Sequence, residues 1–208
     1  LQEVLPDLID NTQYGFIKSR KICDNVLLEQ DLMRDYHKTK GRPRAAAKVD
    51  LMKAYDTVSW DFLFDLLTAL NFPPFMITWI KSCVTTLRYS ININRESVGY
   101  FKRARGLRQG DHMSPYLFVI TMDFLGKLFR IEIANSVDFK YHWRCEKHAI
   151  SHLCFANDLL IFLDGSIQVA ATIKNVLSTF NSVTLRKLTS SKRKSKPEST
   201  PYFFHFCI

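Results

Sequence analysis

The sequence predicts an α+β fold. Helical and strand-like segments intermix without the strand–helix–strand rhythm of a parallel sheet. Two pairs of short apolar or alternating segments each fold back over a two-residue polar turn, which points to antiparallel hairpins. Stripes of apolar residues at helical spacing supply the helices that would cover such a sheet.

The elements follow in order. Residues 22–36 read as an amphipathic helix, since Ile22, Val26, Met33 and Tyr36 are spaced by three, four or seven, and Pro43 closes the polar turn after it. Residues 45–51 form a short buried strand that ends near Asp50. Ser59 can N-cap the next helix, whose stripe is Trp60, Leu63, Leu67 and Leu70. Asn71 and Pro73-Pro74 stop it, and Pro74 suits the first turn of another helix carrying Ile77, Ile80, Val84 and Leu87. Residues 89–93 alternate as a strand, and Asn94-Arg95 turns them back into residues 98–101. Ser114-Pro115 is a cap-plus-first-turn signal for a helix over 116–133 that is apolar on most faces and therefore buried. Residues 153–156 and 159–163 flank Asn157-Asp158 as the arms of a hairpin. Ser166 can cap a last helix with Val169, Ile173, Val176, Leu177 and Phe180 on one side.

The chain has 208 residues, 47% hydrophobic and 13% aromatic, enough to bury a core and to exclude disorder as the default state. Its net charge is +9, and Arg186, Lys187, Lys192, Arg193, Lys194 and Lys196 against Glu198 leave +5 in the last 27 residues and +4 in the rest. That balance favours a polyanionic partner. The five cysteines are odd in number and form no Cys-x-x-Cys pair, which fits a reducing, intracellular compartment, nuclear or cytoplasmic. No apolar run approaches the roughly 20 residues of a membrane span. The first residues, Leu1-Gln2-Glu3, include neither a start Met nor a basic leader, so the chain is expected to begin inside a larger reading frame.

Three blocks carry the chemistry: Lys48-Val49-Asp50-Leu51-Met52-Lys53-Ala54-Tyr55-Asp56, then residues 106–118 beginning Gly-Leu-Arg-Gln-Gly-Asp, then Phe155-Ala156-Asn157-Asp158. In this order they resemble motifs A, B and C of reverse transcriptases, and their wording is similar to that of plant LINE-type (non-LTR) retrotransposon polymerases. The resemblance spans roughly residues 4–183. It implies the fingers and palm of a right-hand polymerase, an antiparallel palm sheet packed on helices. Fingers would fall at about 1–43 and 60–110, palm at about 44–59 and 111–183, and 184–208 would be an aberrant basic tail. The family's earlier finger motif would lie before residue 1, and no thumb is expected within these residues.

The resemblance implies two-metal nucleotidyl transfer with Mg²⁺ as cofactor, and RNA template, DNA primer and deoxynucleoside triphosphates as partners. Asp50 matches the motif A metal ligand, and Asp158 with Asn157 stands at motif C, so Asp50, Asn157 and Asp158 form the catalytic set and Asp50 and Asp158 the metal set. Taken alone, Asp50 is a solvated acid at a strand end and Asn157-Asp158 an ordinary turn. Tyr55 matches the aromatic gate against a ribose 2′-hydroxyl, with a core aromatic as its plain alternative. Asp56 fits the family pattern as a structural residue. Arg108, Gln109 and Gly110 match the motif that meets the incoming nucleotide and template base. Lys18 and Arg20, within Gln13-Tyr14-Gly15-Phe16-Ile17-Lys18-Ser19-Arg20, match a finger segment facing template phosphates; surface charge is the alternative for Lys18. Lys102, Arg103, Arg105 and Arg108 after Tyr100-Phe101 suit phosphate contact and base stacking, or a charged hairpin edge that resists aggregation.

The family motif C reads Phe/Tyr-Ala-Asp-Asp, and here Asn157 replaces its first aspartate. A neutral amide oxygen is a weaker Mg²⁺ ligand than a carboxylate, so the two-metal site is expected to be weakened. Little or no Mg²⁺-dependent extension follows as an expectation; the alternatives are a non-catalytic nucleic-acid-binding remnant and a functionless relic. His142, Cys145, His148, His152 and Cys154 have the right chemistry for zinc but no standard finger spacing, and zinc stands as a lesser alternative. The tail should not pack as a thumb; residues 185–208 should be irregular, with 202–208 apolar enough to dock as a short strand. The sequence leaves the oligomeric state open.

Overall fold

A computed structural model describes residues 1–34, 44–51, 53–137 and 139–184, together with the backbone of 202–207. The helices are α1 (Leu5–Leu8), α2 (Ile22–Leu32), α3 (Ala54–Thr57), α4 (Trp60–Ala69), α5 (Pro74–Thr85), α6 (Ser114–Asn135) and α7 (Ile167–Thr184). The strands are β1 (Ala45–Leu51), β2 (Arg88–Ile93), β3 (Glu96–Lys102), β4 (His152–Phe155), β5 (Asp158–Leu163) and β6 (Tyr202–Cys207). The fold is α+β as expected, with a four-stranded antiparallel sheet in the order β4-β5-β1-β6 and a separate β2-β3 hairpin. Strand β1, helix α6, the β4-β5 hairpin, helix α7 and strand β6 make a β-α-β-β-α-β unit.

Local chemistry sets most boundaries. The Ser59 hydroxyl accepts from Phe62 N–H at 3.4 Å and starts α4. The same helix ends with Asn71 at φ 58°, where Phe72 N–H returns to Leu67 O at 3.1 Å and Asn71 N–H to Thr68 O at 3.0 Å. This is a left-handed C-terminal cap with both return bonds made. Pro74 opens α5. Asn94 and Arg95 both take positive φ, 51° and 71°, the pairing a two-residue hairpin loop with the sheet's twist requires. Ser166 caps α7 by accepting from Val169 N–H at 3.3 Å.

Three expectations shift. The N-cap of α6 is Met113, not Ser114; Ser114 is the first helical residue and its hydroxyl donates to Asp111 Oδ2 at 3.2 Å. The hairpin loop is Ala156-Asn157, because Phe155 pairs with Asp158 and Asp158 already belongs to β5. Helix α2 buries Asn25 and Leu32, whereas Ile22 and Val26 of the expected stripe are exposed. Which face of α2 is covered is decided by strand β4 and its neighbours, not by the helix's own periodicity. The expected end of that helix beyond residue 34 and the Pro43 turn lie outside the described residues.

The sheet sorts its residues by the two-residue period of a strand. On one face Ala47, Val49 and Leu51 of β1 join Leu159, Ile161 and Leu163 of β5 and pack with Leu117, Phe118 and Leu125 of α6 and Val169, Ile173 and Val176 of α7. Each such fully buried large side chain contributes about 1.5–3 kcal/mol of transfer free energy. Among the described residues the opposite face is covered at one end, where Ala46, Leu153 and Phe162 pack with Leu32 and Cys145. Its other end carries Lys48 and Asp50, both exposed. Residues 202–207 do form a strand, as expected, and it pairs along β1 so that Asp50 lies opposite Phe203. Residues 185–201 and 208 lie outside the described set.

Candidate active site

Asp50 lies between buried Val49 and Leu51, at the one phase of β1 that faces outward. The β1–β5 register sets Asp50 directly opposite Asp158. Directly opposed residues on antiparallel strands project from the same face, with Cβ atoms about 4.5–5.5 Å apart. Two carboxylates thus meet across one ladder position, with Asn157 in the adjoining loop. Lys48, two residues before Asp50 and so on the same face, reaches Asp158 Oδ1 at 3.8 Å. Like charges directly opposed repel. The Lys48 pair offsets little of that, because its two side chains are 62% and 54% exposed.

Just past β1 the chain turns sharply through Lys53 at φ 51° into α3, which presents Tyr55. The Tyr55 ring stacks on Phe118 of α6, centroids 4.3 Å apart and 18° from parallel, and burial pushes its phenol pKa up. Residues 106–107 are fastened to this helix: Leu107 N–H donates to Tyr55 O at 2.7 Å and Gly106 N–H to Val58 O at 2.8 Å. Trp60 Nε1–H donates to Gly106 O at 2.8 Å. That anchorage delivers Gln109 to an open cleft of about 390 Å³ lined by Asp50, Leu51, Lys53, Ala54, Tyr55, Gln109 and Asn157. Residues from all three motifs therefore meet in a single concavity. Gly110 follows at φ 88° with open space around its Cα, a turn conformation that side-chain-bearing residues resist.

The basic residues divide by their partners. Lys102, Arg105 and Arg108 are exposed. Arg103 pairs with Asp56 at 2.8 Å and lies over the Tyr89 ring at 5.1 Å. Lys18 pairs with Glu3 at 2.8 Å on the surface. The Arg20 guanidinium is turned inward onto backbone carbonyls, Gln13 O at 2.6 Å, Ile9 O at 2.8 Å, Pro6 O at 3.3 Å and Asp10 O. Sequence reasoning missed that inward use of Arg20, and it missed Lys48 and Lys53 as neighbours of the carboxylates. Only the alternation of β1 could have flagged Lys48.

Two carboxylates and one amide oxygen are hard donors open to solvent, and so to phosphate oxygens; that set fits Mg²⁺. Among the described residues no group of three or more His, Cys, Asp or Glu gathers at one point. His152 instead stacks on Phe129 at 5.0 Å and shares hydrogen bonds with Ser151 Oγ at 2.9 Å and Thr12 Oγ1 at 3.3 Å. No helix among the described residues is long and apolar enough to cross a membrane.

A family model described as reverse transcriptase (RNA-dependent DNA polymerase) matches residues 1–204. The retrovirus-related Pol polyprotein from the type-2 retrotransposable element R2DM of Drosophila melanogaster is 29% identical over 184 residues, which is 88% of this chain and 16% of that protein. The corresponding polyprotein from the type-1 retrotransposable element R2 of Nasonia vitripennis is 29% identical over 170 residues, 81% of this chain and again 16% of the relative. The chain thus spans a small part of these relatives. Among solved structures, telomerase from Candida albicans in complex with the TWJ fragment of telomeric RNA superposes with a TM-score of 0.62 at 14% identity, over 92% of this chain and 34% of that one. At that identity the likeness is one of fold.

Proposed function

The chain belongs to the reverse transcriptase (RNA-dependent DNA polymerase) family, and from that premise we propose that it is the fingers and palm of a retrotransposon polymerase whose reaction is RNA-templated transfer of a deoxynucleoside monophosphate to a primer 3′-hydroxyl. The observation that carries the reading is Asp50 opposed to Asp158 on one face, at the edge of a cleft shared with Tyr55, Gln109 and Asn157. In this reading fingers span about 1–43 and 60–110 and palm about 44–59 and 111–183, and the tail that follows returns its strand β6 to the sheet beside β1. The wording of the three motifs supports a plant LINE-type element as its source, which translation of the flanking DNA in all frames would test.

Each residue has a proposed task. Asp50 and Asp158 would hold the divalent cations, and Asn157 would add a neutral oxygen. Mg²⁺ held there would supply Lewis-acid chemistry to the attacking hydroxyl and the leaving pyrophosphate. The Tyr55 ring, fixed against Phe118, forms a flat floor under the sugar that leaves room for hydrogen but not for a 2′-hydroxyl. Arg108, Gln109 and the Gly110 turn meet the incoming nucleotide. Lys102 and Arg105, with Arg103 partly engaged by Asp56, track the nucleic-acid backbone; Lys18 extends that track. Arg20 shapes the loop of residues 6–13 that backs it.

Asn157 favours a second reading, a nucleic-acid-binding remnant that does not turn over. The site lacks one charge where two divalent cations and a triphosphate must be balanced. Primer extension on an RNA template decides between the two. The chain as it stands should incorporate little or nothing, and Asn157→Asp should raise incorporation while Asp50→Ala abolishes it. If repaired protein extends no primer yet still binds RNA, the binding reading holds; if it does neither, both fall.

A further inference from the structure

The Ala156-Asn157 loop is gripped from outside its own hairpin. Residues 12–14 run beside β4 in a parallel bridge, Gln13 against Cys154. Cys154 N–H donates to Thr12 O at 2.8 Å and Tyr14 N–H to Cys154 O at 3.0 Å. From that bridge the Gln13 side chain, only 3% exposed, reaches the loop at the end of the strand. Its Oε1 accepts from Ala156 N–H at 3.2 Å and from Gly15 N–H at 3.0 Å. Both partners are donors, so the amide can stand only with its oxygen toward them, and its buried Nε2 has no hydrogen-bond partner among the described residues. Gly15 completes the grip by close approach: a Cβ there would lie 2.6 Å from Ala156 N.

What is gripped is a conformation alanine rarely adopts. Ala156 has φ 54°, in the left-handed region where its Cβ crowds the backbone. The next residues are Asn157, which lines the cleft, and Asp158, which opposes Asp50. Releasing Ala156 toward negative φ would reorient both.

We propose that Gln13 is a positioning residue: its carboxamide holds Ala156 left-handed and so sets the direction in which Asn157 and Asp158 face Asp50. The consequence for metal binding rests on the polymerase reading of the Asp50–Asp158 site. Gln13 has no hydrogen bond to either carboxylate and acts through the Ala156 amide.

Three variants of the whole chain test it. Gln13→Met keeps the side chain's length and removes the acceptor. Gln13→Glu keeps an oxygen in place whether ionised or protonated. Gln13→Asn keeps a carboxamide but withdraws it by one methylene. Amide exchange at Ala156 should quicken about fivefold or more in the Met and Asn variants and stay within about twofold in the Glu variant, with α6 amides unchanged in all three. In the Asn157→Asp background, Mn²⁺ affinity read by electron paramagnetic resonance should fall about tenfold with Met or Asn and recover with Glu. Equal Ala156 exchange in parent, Met and Glu proteins overturns the grip, and equal Mn²⁺ affinity in Met and Glu proteins overturns its role at the site. If Asn157→Asp protein binds no Mn²⁺ that Asp50→Ala removes, while Ala156 exchange still follows Gln13, the polymerase reading fails and the positioning of the turn stands.

Discussion

At the residue scale, His152 shows how burial turns a titratable group into a pH sensor for folding. It is 3% exposed, and burial, reinforced by Arg130, lowers its pKa to about 4. An unfolded histidine titrates near 6.5. Between those values the unfolded chain binds the extra proton, so the neutral buried ring contributes stability above pH about 6.5, and that contribution is lost as the pH falls toward 4. The loss should reach about 3 kcal/mol as an upper bound. Urea midpoints between pH 7.5 and 4.5 should fall steeply in the parent chain and less in His152→Phe; equal slopes would show that His152 is not the sensor. Burial also pushes the thiols of Cys145 and Cys154 up to about 12, while Cys23 and Cys83 are exposed. A thiol reagent at pH 8 should therefore label Cys23 and Cys83 quickly and spare Cys145 and Cys154 until denaturant is added, as peptide mass spectrometry would show. Little of this was legible in the sequence. His152 and Cys154 there looked like possible zinc donors, and only packing against Phe129 and β5 shows what surrounds them. Asp50, Asp158 and Tyr55 were legible because each sits at a fixed offset inside a motif, and strand alternation does the rest.

At the element scale, boundaries written in local chemistry were readable and those imposed from a distance were not. The bounds of β1, the Ser59 cap, the Asn71 stop and the Asn94-Arg95 turn each depend on a few adjacent residues. The β4-β5 loop came out one residue late because Ala156 gives no sign in sequence of adopting positive φ; Gln13, far upstream, holds it there. Short helices α1 and α3, four residues each, are too brief to show a period. The difference between true and apparent caps is measurable. Ser59→Ala removes the bond to Phe62 N–H and should cost about 1 kcal/mol. Ser114→Ala should cost less, since Ser114 caps nothing and its partner Asp111 is partly open to water. Thermal unfolding of the two variants side by side would reverse the assignment if Ser114→Ala proved the more damaging.

At the scale of the whole molecule, the C-terminal strand changes how nucleic-acid binding must be tested. Two basic regions are candidates: the hairpin edge with Lys102, Arg105 and Arg108, and residues 186–196 with six cations. Deleting the tail looks like the natural control, but residues 202–207 pair along β1 from Ala46 to Leu51 as the last strand of the β-α-β-β-α-β unit. Truncation would leave the N–H and C=O groups of β1 that face β6 unpaired beside Asp50, an open edge that invites misassociation. Lost binding after deletion would then report a damaged sheet. Replacing the six tail cations with glutamine keeps β6 and removes the charge. That protein should still bind single-stranded RNA, with affinity falling as salt rises. Changing Lys102, Arg105 and Arg108 to glutamate in it should lower the log–log salt slope by about 2, since each phosphate contact on a single strand contributes about 0.7. Arg103 is left in place because Asp56 already engages it. If the neutral-tail protein shows no salt-dependent binding, the hairpin cations are solvated surface and the tail alone is the polyanion contact. If binding persists unchanged after the triple glutamate substitution, the contact lies elsewhere on the molecule.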